Sequence, residues 1–252
     1  MIELKTQSDM DAIHENGRVL CSLFDRLETW MEAGMSTWDI NQFCEDYITK
    51  AGCFPSCKGF EGYPAGTCIS INEQVIHGIP HKEKIVRLGD IVSIDIVCDR
   101  KGNFFADSTR TYIMGEVPDR TRLLVRTTKE CLDLAIEAAA KPGARMNDVS
   151  GAVFEHANQN GFGVVRDYCG HGVGFGIHED PNVPNFVSPF AQNLKLREGL
   201  VIAIEPMINM GTHKINTLHD GWTVVTADRK PSAHFEHTIG ITKNGVEVLT
   251  QM

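Results

Sequence analysis

The 252-residue chain is notable first for what it does not contain. No apolar run reaches the length that crosses a bilayer as a helix. The opening residues, MIELKTQSDMD, lack the basic segment and apolar core of an export signal, so a cytoplasmic protein without a membrane role is expected. Basic charge is in deficit: 24 Lys and Arg stand against 33 Asp and Glu, a net charge of -9. Nucleic-acid binding as the main activity, which needs a basic face, is therefore not expected. Cys53 and Cys57 are four apart, but no second pair completes a zinc-finger spacing. With no export signal, the eight Cys read as reduced thiols. The segment GHGVGFG has neither the dinucleotide-binding spacing nor the Lys of a phosphate loop. No EF-hand loop is present, which disfavours calcium storage.

What is present is written twice. Residues 9–33 carry Ile13, Leu20, Phe24, Leu27 and Met31 at helical spacing, and Gly34 ends the run. Ser36 or Thr37 can cap a second helix reaching about Lys50. Residues 119–140 are helical again, and Asn147 can cap a fourth helix reaching Asn160. Gly34, Asp39 and Gly52 recur 109 positions on as Gly143, Asp148 and Gly161. LGDIVSID, ending at Asp95, resembles EGLVIAIE, ending at Glu205, with Gly89 and Gly199 six positions before the carboxylates. This predicts two equivalent halves, about 9–115 and 119–241, within a single domain spanning 1–252. β-rich segments follow each helix pair, at 65–71, 91–97, 104–114, 164–170, 201–208, 222–227 and 234–241. The expected class is α+β, with helices covering a curved, largely antiparallel sheet.

Charge inside these strands is the chemical signal. Asp95 interrupts VSIDIV, and Glu205 interrupts VIAIEPM. Asp107 opens DSTRTYIM, and Glu236 lies in AHFEHTIGI beside His234 and Thr238. A buried carboxylate is costly unless a cation answers it. Period-two geometry puts Asp95 on the face of Ile91, Ser93 and Val97, with Val92, Ile94 and Ile96 opposite. Asp99 is set apart as part of an exposed hairpin turn, DRKGN. His171 sits among Gly170, Gly172, Gly174 and Gly176, with His178 seven residues on and His77 before another Gly-containing turn. Four carboxylates and one imidazole suit two closely spaced divalent ions.

At these residues the sequence resembles the type I methionine aminopeptidases. The segments that carry the likeness are CKGFEGYPAGTCISINEQVIHGIP, GDIVSIDIVCDRKGNFFADSTRTY, GHGVGFGIHEDP, LVIAIEPM and SAHFEHTI, which together run over nearly the whole chain. The resemblance implies the pita-bread fold, with pseudo-twofold αα-β halves. It implies metal-dependent removal of an initiator methionine from peptides and nascent proteins, with a small second residue preferred. Asp95, Asp107, His171, Glu205 and Glu236 become the metal ligands, Asp107 and Glu236 bridging two ions. Glu205 is also the general base, and His77 and His178 are active-site histidines that bind no metal. Cys57, Phe60, Tyr63, Cys68, Ile177 and Trp222 line the methionine pocket. Asn72 and Ser232 contribute to a separate Na or K site.

The ions are Mn, Fe, Co or Zn, which this oxygen-rich set does not distinguish. The expected partner is a peptide or nascent N-terminus, with a transient ribosome contact, and the expected state is a monomer. The 95-to-107 connection is one residue longer than in many members, and Ile177 replaces a common aromatic. A zinc-finger-like N-terminal extension is not expected. Two rivals are a proline-directed aminopeptidase or dipeptidase of the same fold and a catalytically inactive binding protein.

Overall fold

A capping box starts the first helix earlier than hydrophobic periodicity alone indicates. Thr6 Oγ1 accepts the Asp9 N–H at 3.2 Å, and the Asp9 carboxylate accepts the Thr6 N–H at 2.8 Å. The computed structural model describes residues 2–100 and 102–252, and in it α1 runs Gln7–Trp30. Ser36 and Asp39 form the same box ahead of α2, Thr37–Lys50. The second pair is α3, Asp119–Ala139, and α4, Met146–Gln159. Asn147 does not cap α4. It lies in the first turn and donates its N–H to Asn193 Oδ1 at 3.0 Å, while Asp148 accepts the Arg145 N–H at 2.7 Å. The carboxylate three residues into the helix decides the cap.

The two halves make matching backbone contacts. Thr37 N–H donates to Lys84 O and Met146 N–H to Leu194 O, each at 2.8 Å. Val86 N–H donates to Met35 O and Leu196 N–H to Ala144 O, each at 2.9 Å. Gly34, Gly52 and Gly89, and their counterparts Gly143, Gly161 and Gly199, all have positive φ. The repeated glycines thus mark repeated left-handed turns.

A curved nine-stranded sheet joins the halves. Its main path is Phe54–Pro55, Ile91–Arg100, Asn103–Ile113, Glu236–Thr242, Val201–Ile204, Gly170–Gly172 and Glu179–Val183. Cys68–Ile71 pairs with Ile91–Arg100, and Gly245–Val248 with Glu236–Thr242, all antiparallel. Strands from both halves therefore meet where Asn103–Ile113 pairs with Glu236–Thr242. Val92, Ile94 and Ile96 pack with Ile13, Leu20, Phe24 and Ile40 of α1 and α2. Ile202, Ile204 and Ile239 pack with Leu124, Leu132, Val149 and Val153 of α3 and α4. Helices cover one face; Val97 turns the other way, toward Cys57, Tyr63 and Cys68. Among the described residues no helix is long and apolar enough to cross a membrane.

Several strands differ from their sequence outlines. Glu205 follows Val201–Ile204, and Pro206 separates it from Met207–Asn209, so it occupies a break rather than a strand interior. Residues 164–170 are divided between Gly163–Val164 and Gly170–Gly172, in different sheets. Asp107 lies in the middle of Asn103–Ile113, not at its start. Asp99 belongs to Ile91–Arg100 and is 2% exposed, with Ser56 Oγ donating to it at 2.6 Å. The expected exposed turn is thus shorter, and its Lys101 lies outside the described residues.

Candidate metal centre and cleft

Strand register brings the carboxylates together. Asp95 is opposite Thr109, and Thr109 is opposite Glu236, across three adjacent strands. Residues directly opposite in an antiparallel pair share a face. Asp107, two residues before Thr109, lies on that face as well. Thr109 Oγ1 donates to Glu236 Oε2 at 2.8 Å. Thr238 secures the next step: Asp107 N–H donates to its Oγ1 at 3.1 Å, and that hydroxyl donates to Asp107 O at 2.8 Å.

The second half adds the imidazole. His171 Nε2 is 3.7 Å from Asp107 Oδ2 and 3.5 Å from Glu205 Oε1. One ligand atom each from Asp107, His171 and Glu236 lie within 4.8 Å of one another, and all three residues are buried. His171 Nδ1 is 2.9 Å from Gly172 O. That contact calls for the proton on Nδ1 and leaves the Nε2 lone pair directed at the carboxylates, the tautomer of a metal ligand.

The electrostatics call for a cation. Burial first, then neighbouring carboxylates, pushes Asp107, Glu205 and Glu236 well above the usual range. Asp95 is raised by burial, opposed by His234 and by hydrogen bonds from Thr109 and Cys68. Burial, reinforced by His178, lowers His171 to about 3, so its imidazole is neutral near pH 7. Asp107 Oδ1 is buried without a hydrogen-bond partner. Among the described residues lining the cleft there is no Lys or Arg. An orphaned carboxylate oxygen, a lone pair on nitrogen and several acids without a basic partner fit divalent metal.

The centre opens into a cleft of about 590 Å³. Cys57, Tyr63 and Cys68 pack against Ile177 and Trp222 on one side. The Tyr63 and Trp222 rings meet edge to face at 5.2 Å, and Tyr63 Oη donates to Gly78 O at 3.0 Å. Phe60 also lines the cleft, its ring 5.2 Å from that of His178. His178 meets His171 edge to face, with centroids 4.1 Å apart. His77 stands between Tyr168 and Trp222, at 5.7 and 6.2 Å. The structure therefore gathers the expected ligands, both further histidines and all six pocket residues around one cleft. Asn72 and Ser232 are elsewhere: Ser232 N–H donates to Asn72 O at 2.8 Å, and Asn72 Nδ2 to Asp90 Oδ1 at 2.8 Å.

His234 is the residue that sequence reasoning passed over. It is 2% exposed, and its Nε2 lies 3.5 Å from Glu205 Oε2. Its place two residues before Glu236 was the available signal. Tyr168, beside His77, carried none.

The sequence profile of metallopeptidase family M24 matches residues 11–243. The chain is similar to the methionine aminopeptidase of Clostridium perfringens, 44% identical over 251 residues and covering 99% of each. It is 40% identical to methionine aminopeptidase 1 of Bacillus subtilis over the full length of both. In three dimensions it is similar to the methionine aminopeptidase of Thermotoga maritima, with a TM-score of 0.95, 42% identity and complete coverage of both chains. The prolidase of Pyrococcus furiosus shares the fold, at a TM-score of 0.76 and 23% identity, with this chain covering 65% of it.

Proposed function

The chain belongs to metallopeptidase family M24, and on that premise we propose that it is a type I methionine aminopeptidase acting on peptide and nascent-protein N-termini. It is a metal-dependent hydrolase that removes an N-terminal methionine. The observation that carries this reading is the buried Asp107, His171 and Glu236 cluster opening into a cleft with an apolar wall.

Asp95, Asp107, His171, Glu205 and Glu236 would hold two divalent ions; Asp107 and Glu236 would serve both, Asp95 one, and His171 with Glu205 the other. Bound there, Mn, Fe, Co or Zn supplies Lewis acidity and lowers the pKa of water. Glu205 accepts the proton of the attacking water. His178, neutral because burial depresses its pKa, donates an N–H to the substrate carbonyl oxygen as negative charge develops there. His77 orients the peptide nitrogen. Cys57, Phe60, Tyr63, Cys68, Ile177 and Trp222 receive the methionine side chain, whose flexible thioether suits apolar and aromatic walls. Asn72 and Ser232 would contribute to a separate Na or K site. The protein works as one catalytic domain, as a cytoplasmic monomer with a transient ribosome contact.

A matched peptide series tests this reading by kcat/KM on metal-loaded protein. Met-Ala-Ser and norleucine-Ala-Ser are cleaved. Leu-Ala-Ser is cleaved weakly, because shape alone separates similar apolar side chains by about 1–3 kcal/mol per methylene. Met-Lys-Ser and acetyl-Met-Ala-Ser resist, the first because the second-residue site is crowded and the second because it lacks a free amine. Efficient cleavage of either resistant peptide overturns the corresponding part, and a preference for Leu over Met overturns the pocket assignment.

A further inference from the structure

Lys5 is only 4% exposed and comes from the segment ahead of α1, outside the lining of the cleft. A buried ammonium must be answered, and Glu179 answers it: Nζ pairs with Glu179 Oε2. Nζ also donates to Glu3 O at 2.9 Å and lies 4.9 Å from the Phe175 ring centroid. The other oxygen of the same carboxylate accepts two backbone N–H groups, Phe175 at 2.6 Å and Gly176 at 2.7 Å. Those residues form the turn between His171 and His178.

We propose that Lys5 is a positioning residue which, through Glu179, fixes the Phe175–Gly176 turn and so sets the attitude of Ile177 and His178 in the cleft. The inference rests on the role given above to His178. Gly172, Gly174 and Gly176 bring no side chains to the turn. Besides Glu179, it is tied by the Phe105 N–H donating to Gly174 O at 2.8 Å and by the Phe104 and Phe175 rings, 6.2 Å apart. Gly174 has φ +137°, and a Cβ there would come 2.8 Å from Lys5 Cε, so the bare backbone makes room for the lysine stem. The segment is also clamped through its main chain. Lys5 N–H donates to Gly199 O at 2.7 Å, and a Cβ on Gly199 would come 2.9 Å from Lys5 O. One carboxylate thus connects the N-terminal segment to the turn, and charge-assisted hydrogen bonds make that connection stiff.

The test uses Lys5→Met, which keeps the stem and removes the charge, at matched metal content. Amide hydrogen exchange at Phe175 and Gly176 is expected to accelerate by about tenfold or more, with Thr37 and Met146 unchanged. On Met-Ala-Ser, kcat is expected to fall by about tenfold while KM moves less than about twofold. In a His178→Ala background the same change is expected to cost less than about twofold, because two residues acting through one group are not additive. Lys5→Arg, which retains the cation, is expected to recover most of the loss. If Lys5→Met does not fold, Lys5→Met with Glu179→Gln takes its place. That pair leaves no unpaired buried charge and is expected to show the same faster exchange. Unchanged exchange at both amides, or losses that multiply in the His178→Ala background, overturns the proposal. Wild-type turnover by His178→Ala alone instead overturns the role of His178, and the exchange measurement still decides what Lys5 does.

Discussion

Thr109 Oγ1 donates to Glu236 Oε2 at 2.8 Å while the Thr109 backbone is paired on one side with Asp95 and on the other with Glu236. One hydroxyl therefore orients a carboxylate of the centre without offering a ligand of its own. Thr109→Val preserves the shape and removes the donor. It is expected to weaken divalent-metal affinity by about 10–100-fold, as loss of such supporting hydrogen bonds does. Metal titration monitored by calorimetry checks this, and unchanged affinity would remove Thr109 from the account.

Asp107→Asn should affect the metal-free and metal-loaded proteins in opposite directions. Without metal, the Asp107 carboxylate is buried among Glu236, Asp95 and Glu205, which raises its pKa and penalises its charged form at neutral pH. Neutralising it is expected to raise the melting temperature in chelator, by roughly 2–4 °C per kcal/mol of repulsion relieved. With Mn present the order reverses, because binding that stabilises the folded state is lost. Paired thermal melts in chelator and in Mn give both signs.

Gly170→Ala is expected to damage the site through the backbone. A Cβ at Gly170 would come 2.3 Å from Ala203 O and 3.1 Å from Val183 Cβ. Relief requires the strand bearing His171 to move from the strand preceding Glu205. The cost is about 1–3 kcal/mol in denaturant unfolding, together with weaker metal binding. A variant with normal stability and affinity would contradict this close approach.

His77 should make acid destabilising. Burial, aided by the charges of His234 and His178, lowers its pKa from 6.5 to about 4. Between those values the unfolded chain binds more protons, so stability falls as pH drops through 6.5 toward 4 and is fully present above that window. Wild type is expected to lose about 1–2 kcal/mol more than His77→Gln between pH 7 and pH 5. Urea midpoints of both proteins in chelator measure the difference. Equal losses would show that His77 titrates normally.

Much of the centre could be read in sequence because a strand interior rarely tolerates charge. Asp95 among VSIDIV and Glu205 after VIAI stand out against apolar neighbours, and paired glycines mark equivalent turns in the two halves. What stayed hidden depends on contacts between distant segments. His234 faces Glu205 only because Met207–Asn209 pairs with Ser232–His234. Asp99 looks like a turn residue until Ser56, in the turn after Phe54–Pro55, donates to it. Tyr168 reaches His77 from the other half of the chain, with no local pattern to announce it. Helix ends shifted by a few residues because carboxylates at Asp9 and Asp148 choose the caps, a polar signal that apolar periodicity does not carry.

The junction between Asn103–Ile113 and Glu236–Thr242 also sets when the protein can begin to work. Asp107 and Glu236 are 129 positions apart and come together only across that junction. During synthesis, a chain that has completed four helices and most of its sheet still lacks one wall of its reactive centre. Contacts of such long sequence separation form late and slowly. The Asp107, His171 and Glu236 cluster is therefore closed only once the strand that begins at Glu236 has been made and paired.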